Sequence, residues 1–164
     1  MAHCRLEFKM PACEAVVFDS FHHHFWRSRW DSLVSATHVL GGHPCPFVGA
    51  ITENAGAGAL RGLNMRTQFI SYDRPHVAAA TMLERSFPFT RWAASMRHQP
   101  IGRDASLLVY TYNFEVGPQA LRWLLAPIVE SVFRWQTRRR FARLRAFLAR
   151  NAREVERWQE TQAP

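Results

Sequence analysis

Lysine is almost missing: Lys9 is the only one among 21 basic residues, which stand against 13 acidic ones for a formal net charge of +8. The positive charge is therefore carried by arginine, whose planar guanidinium suits bidentate contacts with carboxylate and phosphate. Such a charge leaves nucleic acid, anionic lipid and acidic ligands open as partners; an arginine-rich composition without functional meaning is the bland alternative. Cysteine is scarce too. Cys4, Cys13 and Cys45 are odd in number and lack C-x-x-C spacing, which argues against a disulfide framework or a four-cysteine zinc site and suits a reducing cytoplasm. No run approaches the roughly 18 uninterrupted apolar residues of a spanning helix, and "MAHCRLEFKM" holds no apolar signal core, so export and membrane insertion are not expected. Internal repeats and low-complexity stretches are lacking as well.

What is there has the size of one domain, 1–164, long enough to bury a core without metal or disulfide support. Residues 4–10 alternate apolar and polar, the period of a strand with one buried face. After Pro11 the spacing in "ACEAVVFDSF" is helical, and the aromatic-rich segment through Leu33 and Val34 reads as a second short helix or a continuation. Strand-like runs follow at 36–40, 47–55, 60–72, 76–83, 89–98 and 106–116, separated by "GGHPCP", "GAGA", "DRP", "SFP" and "QPIGRD". Connections this short imply an antiparallel meander. Beyond Gly117-Pro118 the pattern is helical again to about Trp158; Pro127 is expected to kink or restart it, leaving a main helix over 128–150 and a frayed helical tail over 151–164.

The stretches "CEAVVFDSF" leading to "RWD", "FISYDRPHVAAATM", "SLLVYTYNFEV" and "RRRFARLRAFL", in that order, resemble the START-related helix-grip superfamily of polyketide cyclase/dehydrase and lipid-transfer-like proteins. The resemblance implies an α+β helix-grip fold: a curved antiparallel sheet of six to seven strands wrapped around a long C-terminal helix, with two short helices after the first strand. It also implies a cavity between sheet and helix that takes an apolar or amphipathic ligand. Function transfers less well than fold, because one fold hosts many activities.

Alternation assigns the side chains that would face such a cavity. Leu108, Tyr110, Tyr112, Phe114 and Val116 share one face; Trp92, Ala94, Met96 and His98 share another; Leu63, Met65, Thr67, Phe69 and Ser71 share a third. Alanine occurs on either face of "HVAAATM", and small side chains opposite a long helix leave space, unless the helix simply packs closer there. Tyr110 and Tyr112 could orient a ligand oxygen, or be core residues with backbone partners. On the helix Val129, Phe133, Leu144 and Leu148 form one broad face, and Arg140 falls inside that stripe while Arg134, Arg138 and Arg145 fall outside it. A guanidinium placed there needs an internal acid or an anionic ligand group as partner, or must snorkel to the rim. The expected ligand contacts are thus Tyr110, Tyr112, Arg140, Trp92, Met96, Phe69 and Phe133.

"FDSFHHHFWRSRWD" sets His22, His23 and His24 among aromatics. On one helix three successive residues splay through about 200°, so they cannot converge on one ion. Asp19, His22 and His23 share a face at i, i+3 and i+4, but metal sites draw ligands from several elements, so neither a metal nor another cofactor is expected. Any of the three, or His98, is a candidate acid or base; a structural aromatic cap over the cavity is the stronger alternative. Asp31 is expected to cap a turn or to pair with Arg27 or Arg29. The expected function is binding or transport of a hydrophobic or amphipathic small molecule, with or without an acidic group. A cyclase/dehydratase-like enzyme and an interaction module using the basic helix are the alternatives. Nucleic acid is not an expected partner, since charge along an amphipathic helix is usually its solvated side, and homodimerisation is left open.

Overall fold

The structure is a computed structural model that describes residues 2–32, 34–56 and 64–162. The alternating start forms β1 (Ala2–Met10), which buries Cys4, Leu6 and Met10 and turns Arg5 and Glu7 outward. Two short helices follow, α1 (Glu14–His22) and α2 (His24–Ser28). Six more strands complete one antiparallel sheet: β2 (Val34–Val39), β3 (Ile51–Gly56), β4 (Asn64–Asp73), β5 (Val77–Met82), β6 (Phe89–Gly102) and β7 (Ala105–Val116). Their order is β1-β7-β6-β5-β4-β3-β2, a meander whose first strand closes onto the last, Leu6 opposite Tyr110. A 3-10 turn (Gln119–Leu121) leads into α3 (Arg122–Gln162). This is the α+β helix-grip architecture that the sequence resemblance implies, a curved seven-stranded sheet with a long C-terminal helix.

Several boundaries differ from expectation for physical reasons. The helical reading through Val34 stops short: α2 ends at Ser28, and Val34 opens β2. Residues 47–50 are turn, not strand, with Gly49 at φ +88° and Phe47 and Val48 exposed. β6 runs past its expected end because the register slips between Pro100 and Gly102, the kind of irregularity where a strand tolerates proline. The expected strand segment 60–63 lies outside the described residues.

The helix α3 begins six residues before 128 and passes through Pro127 without ending. The missing donor falls in the opening turns, whose side chains are mostly exposed. At the other end the expected frayed tail is helical through Gln162, held because Val155 is buried and Trp158 packs edge-on against His23 and Trp26. At 41 residues α3 is about 60 Å long. Its buried residues are Thr137, Phe141, Leu144, Phe147, Leu148 and Val155, so the stretch 122–136 buries none. Phe141 is the junction between layers: its ring meets Phe8 of β1 at 4.7 Å, Tyr110 of β7 at 5.3 Å and Phe21 of α1 at 6.0 Å between centroids.

Candidate functional site

A cavity of about 400 Å³ lies between the sheet and the N-terminal half of α3, inside the range of small-molecule sites. Its floor is laid by β5 and β6, where Ala80 faces Ala94 and Ala78 faces Met96 in register. Those short side chains leave the room that larger residues would fill. Aromatic and aliphatic groups, among them Phe69, Trp92, Phe89 and Phe133, make most of the wall. Phe87, Ile128 and Val132 belong to the lining and are also more than half exposed or close to it, so they mark the mouth. Thr52 and Thr67, buried on neighbouring strands, satisfy each other through a hydroxyl contact of 2.8 Å.

One corner is charged. Arg140 of α3 and Arg27 of α2 both line the cavity, and both donate to the same oxygen, Oδ2 of Asp31. Asp31 is buried, as is expected for an acid that must be paired. Burial alone would push its pKa up, but Arg140 and Arg27 outweigh burial and hold the carboxyl at about 2. Burial, with Arg140 nearby, lowers Arg27 to about 10, still cationic at neutral pH. The two guanidinium carbons lie 5.0 and 4.8 Å from the centroid of Phe21. Burial pushes the Tyr110 phenol up to about 12 against the opposing pull of Arg140 and Arg27. Of the two arginines weighed as partners for Asp31, Arg29 goes instead to Glu154 at 2.8 Å.

The histidine triplet does not lie on one helix. His23 takes an extended backbone between α1 and α2, its N–H still bonded to the Asp19 carbonyl at 2.9 Å, while the His24 N–H is drawn away to the Pro44 carbonyl at 3.0 Å. The break sends the three rings to different places. His22 is buried and lines the cavity, His23 packs on Trp158, and His24 stands apart from the lining. Burial, then the charges of His98, Arg27 and Arg140, keeps His22 well below the ordinary imidazole range, so it is neutral at pH 7. Asp19, the expected third member of a ligand set, instead takes Arg74 at 2.7 Å and the Gln159 amide. Among the described residues no group of three or more acidic, histidine or cysteine side chains is placed to hold a metal ion.

Tyr110, Arg140, Trp92, Met96, Phe69 and Phe133 all reach the cavity. Tyr112 does not: it is fully buried under α3, its ring stacked on Phe114 at 5.8 Å and edge-on to Phe133 at 4.8 Å. His98 is also buried but lies behind Phe18, 5.4 Å between ring centroids, and burial lowers it to about 4. The sequence pattern missed Tyr72. A register shift between Phe69 and Ser71 breaks the alternation, so Tyr72 comes to pack on Phe69, His22 and Phe18 instead of turning away. Arg27 as a lining residue was missed as well; the i, i+4 spacing to Asp31 was the available signal.

The family model for polyketide cyclase / dehydrase and lipid transport matches residues 1–149. The chain belongs to that family. No curated protein matches the sequence. Among solved structures, norcoclaurine synthase from Thalictrum flavum, in complex with a transition-state analogue, is similar over 90% of this chain and 94% of its own, with 13% identity and a TM-score of 0.64. A protein from Thermus thermophilus is similar over 90% of this chain and 97% of its own, at 14% identity and a TM-score of 0.71. The di-domain ARO/CYC BexL is similar over 92% of this chain, at 8% identity and a TM-score of 0.69; the match takes in 47% of BexL. At such identities these likenesses speak for the fold. Among the described residues no helix is long and apolar enough to cross a membrane.

Proposed function

We propose that this member of the family binds a hydrophobic or amphipathic small molecule in the cavity between the sheet and α3, as a carrier or ligand-binding protein. The observation that carries the reading is the cavity itself: largely apolar walls with one charged corner, the usual composition of a small-molecule site. Two buried polar atoms of lining residues, Trp92 Nε1 and His22 Nε2, have no hydrogen-bond partner among the described residues. Buried donors and acceptors are rarely left so, and a polar atom of a ligand would satisfy them.

Binding is favoured over catalysis by the way the histidines fall. A proton-moving site would set an imidazole against a tyrosine hydroxyl, and no histidine is hydrogen-bonded to a tyrosine among the described residues. The test is titration with N-phenyl-1-naphthylamine, a neutral apolar fluorophore that brightens when removed from water. Wild-type protein is expected to bind it with a blue-shifted emission, and Ala94→Phe, which fills the floor, to weaken binding at least about tenfold while the fold persists. Absence of binding by the wild type, or equal binding by the filled variant, would overturn the reading.

A further inference from the structure

The charged corner is not balanced. Two guanidiniums share one carboxylate, and the carboxylate stands behind them: Arg27 and Arg140 line the cavity, Asp31 does not, and among the described residues the lining contains no Asp or Glu. Arg27 spends only its Nε on Asp31, and Arg140 spends Nε and one terminal nitrogen. Beyond those bonds the two side chains have, among the described residues, cation–π contact with Phe21 and no further hydrogen bond, so three terminal amino groups keep their donors. Their side chains are 14% and 19% exposed, so both cations are drawn largely out of bulk water. His22 is neutral and adds no charge to the corner.

A cation in an apolar surround, with donors unspent, is costly until an anion meets it. Carboxylate fits this geometry in particular, because the planar guanidinium fork gives it two parallel hydrogen bonds. We propose that the cavity selects amphipathic acids: the carboxylate head of the ligand docks on Arg27 and Arg140, and its apolar body lies along Ala80, Ala94 and Trp92. This rests on the binding function proposed above and names the ligand class for it. Asp31 then acts as a positioning residue, orienting both forks toward the cavity without touching the ligand.

The test separates head-group selection from cavity binding. N-phenyl-1-naphthylamine reports occupancy, and decanoate and decan-1-ol compete for it; the two differ only at the head. Wild-type protein is expected to release the probe at a free decanoate concentration at least about tenfold below that of decanol, the worth of one charge-assisted contact. Arg27→Gln leaves Arg140 and Asp31 as a balanced pair, so the preference for decanoate over decanol, each read against the variant's own probe affinity, should fall toward unity. Arg145→Gln, on the exposed face of α3, should keep the full preference. Decanol competing as well as decanoate in the wild type overturns the proposal and leaves the cavity reading standing. So does an unchanged preference in Arg27→Gln, or its loss in Arg145→Gln, which would make the attraction a surface effect. If the probe itself does not bind, both the proposal and the reading beneath it fail. Should Arg27→Gln not fold, the wild-type comparison alone decides.

Discussion

Arg140 donates from Nε to Asp31 Oδ2 at 3.1 Å, joining positions 109 residues apart and tying the middle of α3 to the chain just after α2. The bond closes the cavity's charged corner from behind, so it serves the fold and the site at once. Removing one partner of a buried pair leaves the other charge uncompensated, which costs about 3–5 kcal/mol. Asp31→Asn should therefore lower stability by about that much in urea denaturation, and more than Glu130→Gln, whose partner Arg134 lies on the helix surface. Equal losses in the two variants would show that the corner is not a structural clamp.

The same carboxylate makes stability depend on acid. Its folded-state value of about 2 lies below the ordinary 3.8, so the stabilisation is complete above about pH 4 and is lost as the pH falls toward 2. The shift corresponds to about 2 kcal/mol. Urea midpoints measured across that window should slope more steeply for the wild type than for Asp31→Asn.

His98 produces a second slope at milder pH. Buried and held at about 4, it stays neutral in the fold while the unfolded chain takes up a proton from about pH 6.5 downward. Stability is therefore unaffected above that range and falls as the pH drops through it, by about 2 kcal/mol at about pH 4.5. His98→Asn should reduce the difference between midpoints at about pH 7.5 and about pH 4.5 without abolishing it, because burial also holds His22 low and adds a slope of the same sign; an unchanged difference would remove His98 as a source.

Phe141 and Trp123 are both large aromatics on α3, yet their substitutions should differ sharply. Phe141 is 1% exposed and meets β1, β7 and α1, so Phe141→Ala should cost about 3–5 kcal/mol by the cavity it opens. Trp123 is 78% exposed, and Trp123→Ala should stay within about 0.5 kcal/mol. Thermal melts of the two variants check both figures.

Much of this arrangement is legible in the sequence because period-2 alternation survives wherever a strand is regular. β6 and β7 place Trp92, Met96 and Tyr110 on the inner face for that reason. The helical wheel likewise brings Arg140 to the cavity, since α3 is continuous. Legibility fails where a long-range contact or an inserted residue decides. The irregular step at Ile70 turns Tyr72 inward, and nothing local announces it. The helix break at His23 depends on a backbone bond from His24 to Pro44, twenty positions on in the chain, and so only the fold shows which histidine reaches the cavity. Tyr112 shares a face with Tyr110 but lies beneath Phe133, because alternation gives a side and not a position along the strand.

In mechanical terms α3 is a beam pinned unevenly along its length. Its fully buried residues all lie from Thr137 onward, whereas the span 122–136, which roofs the cavity, rests on the half-buried Leu125, Val129 and Phe133. Phe133 meets Phe89, Tyr112 and Phe114 edge-on, so that ring is the pin that holds the roof to the sheet. Amide exchange should follow the same division, faster in 122–136 than in 141–158, because the roofing span has less burial to break.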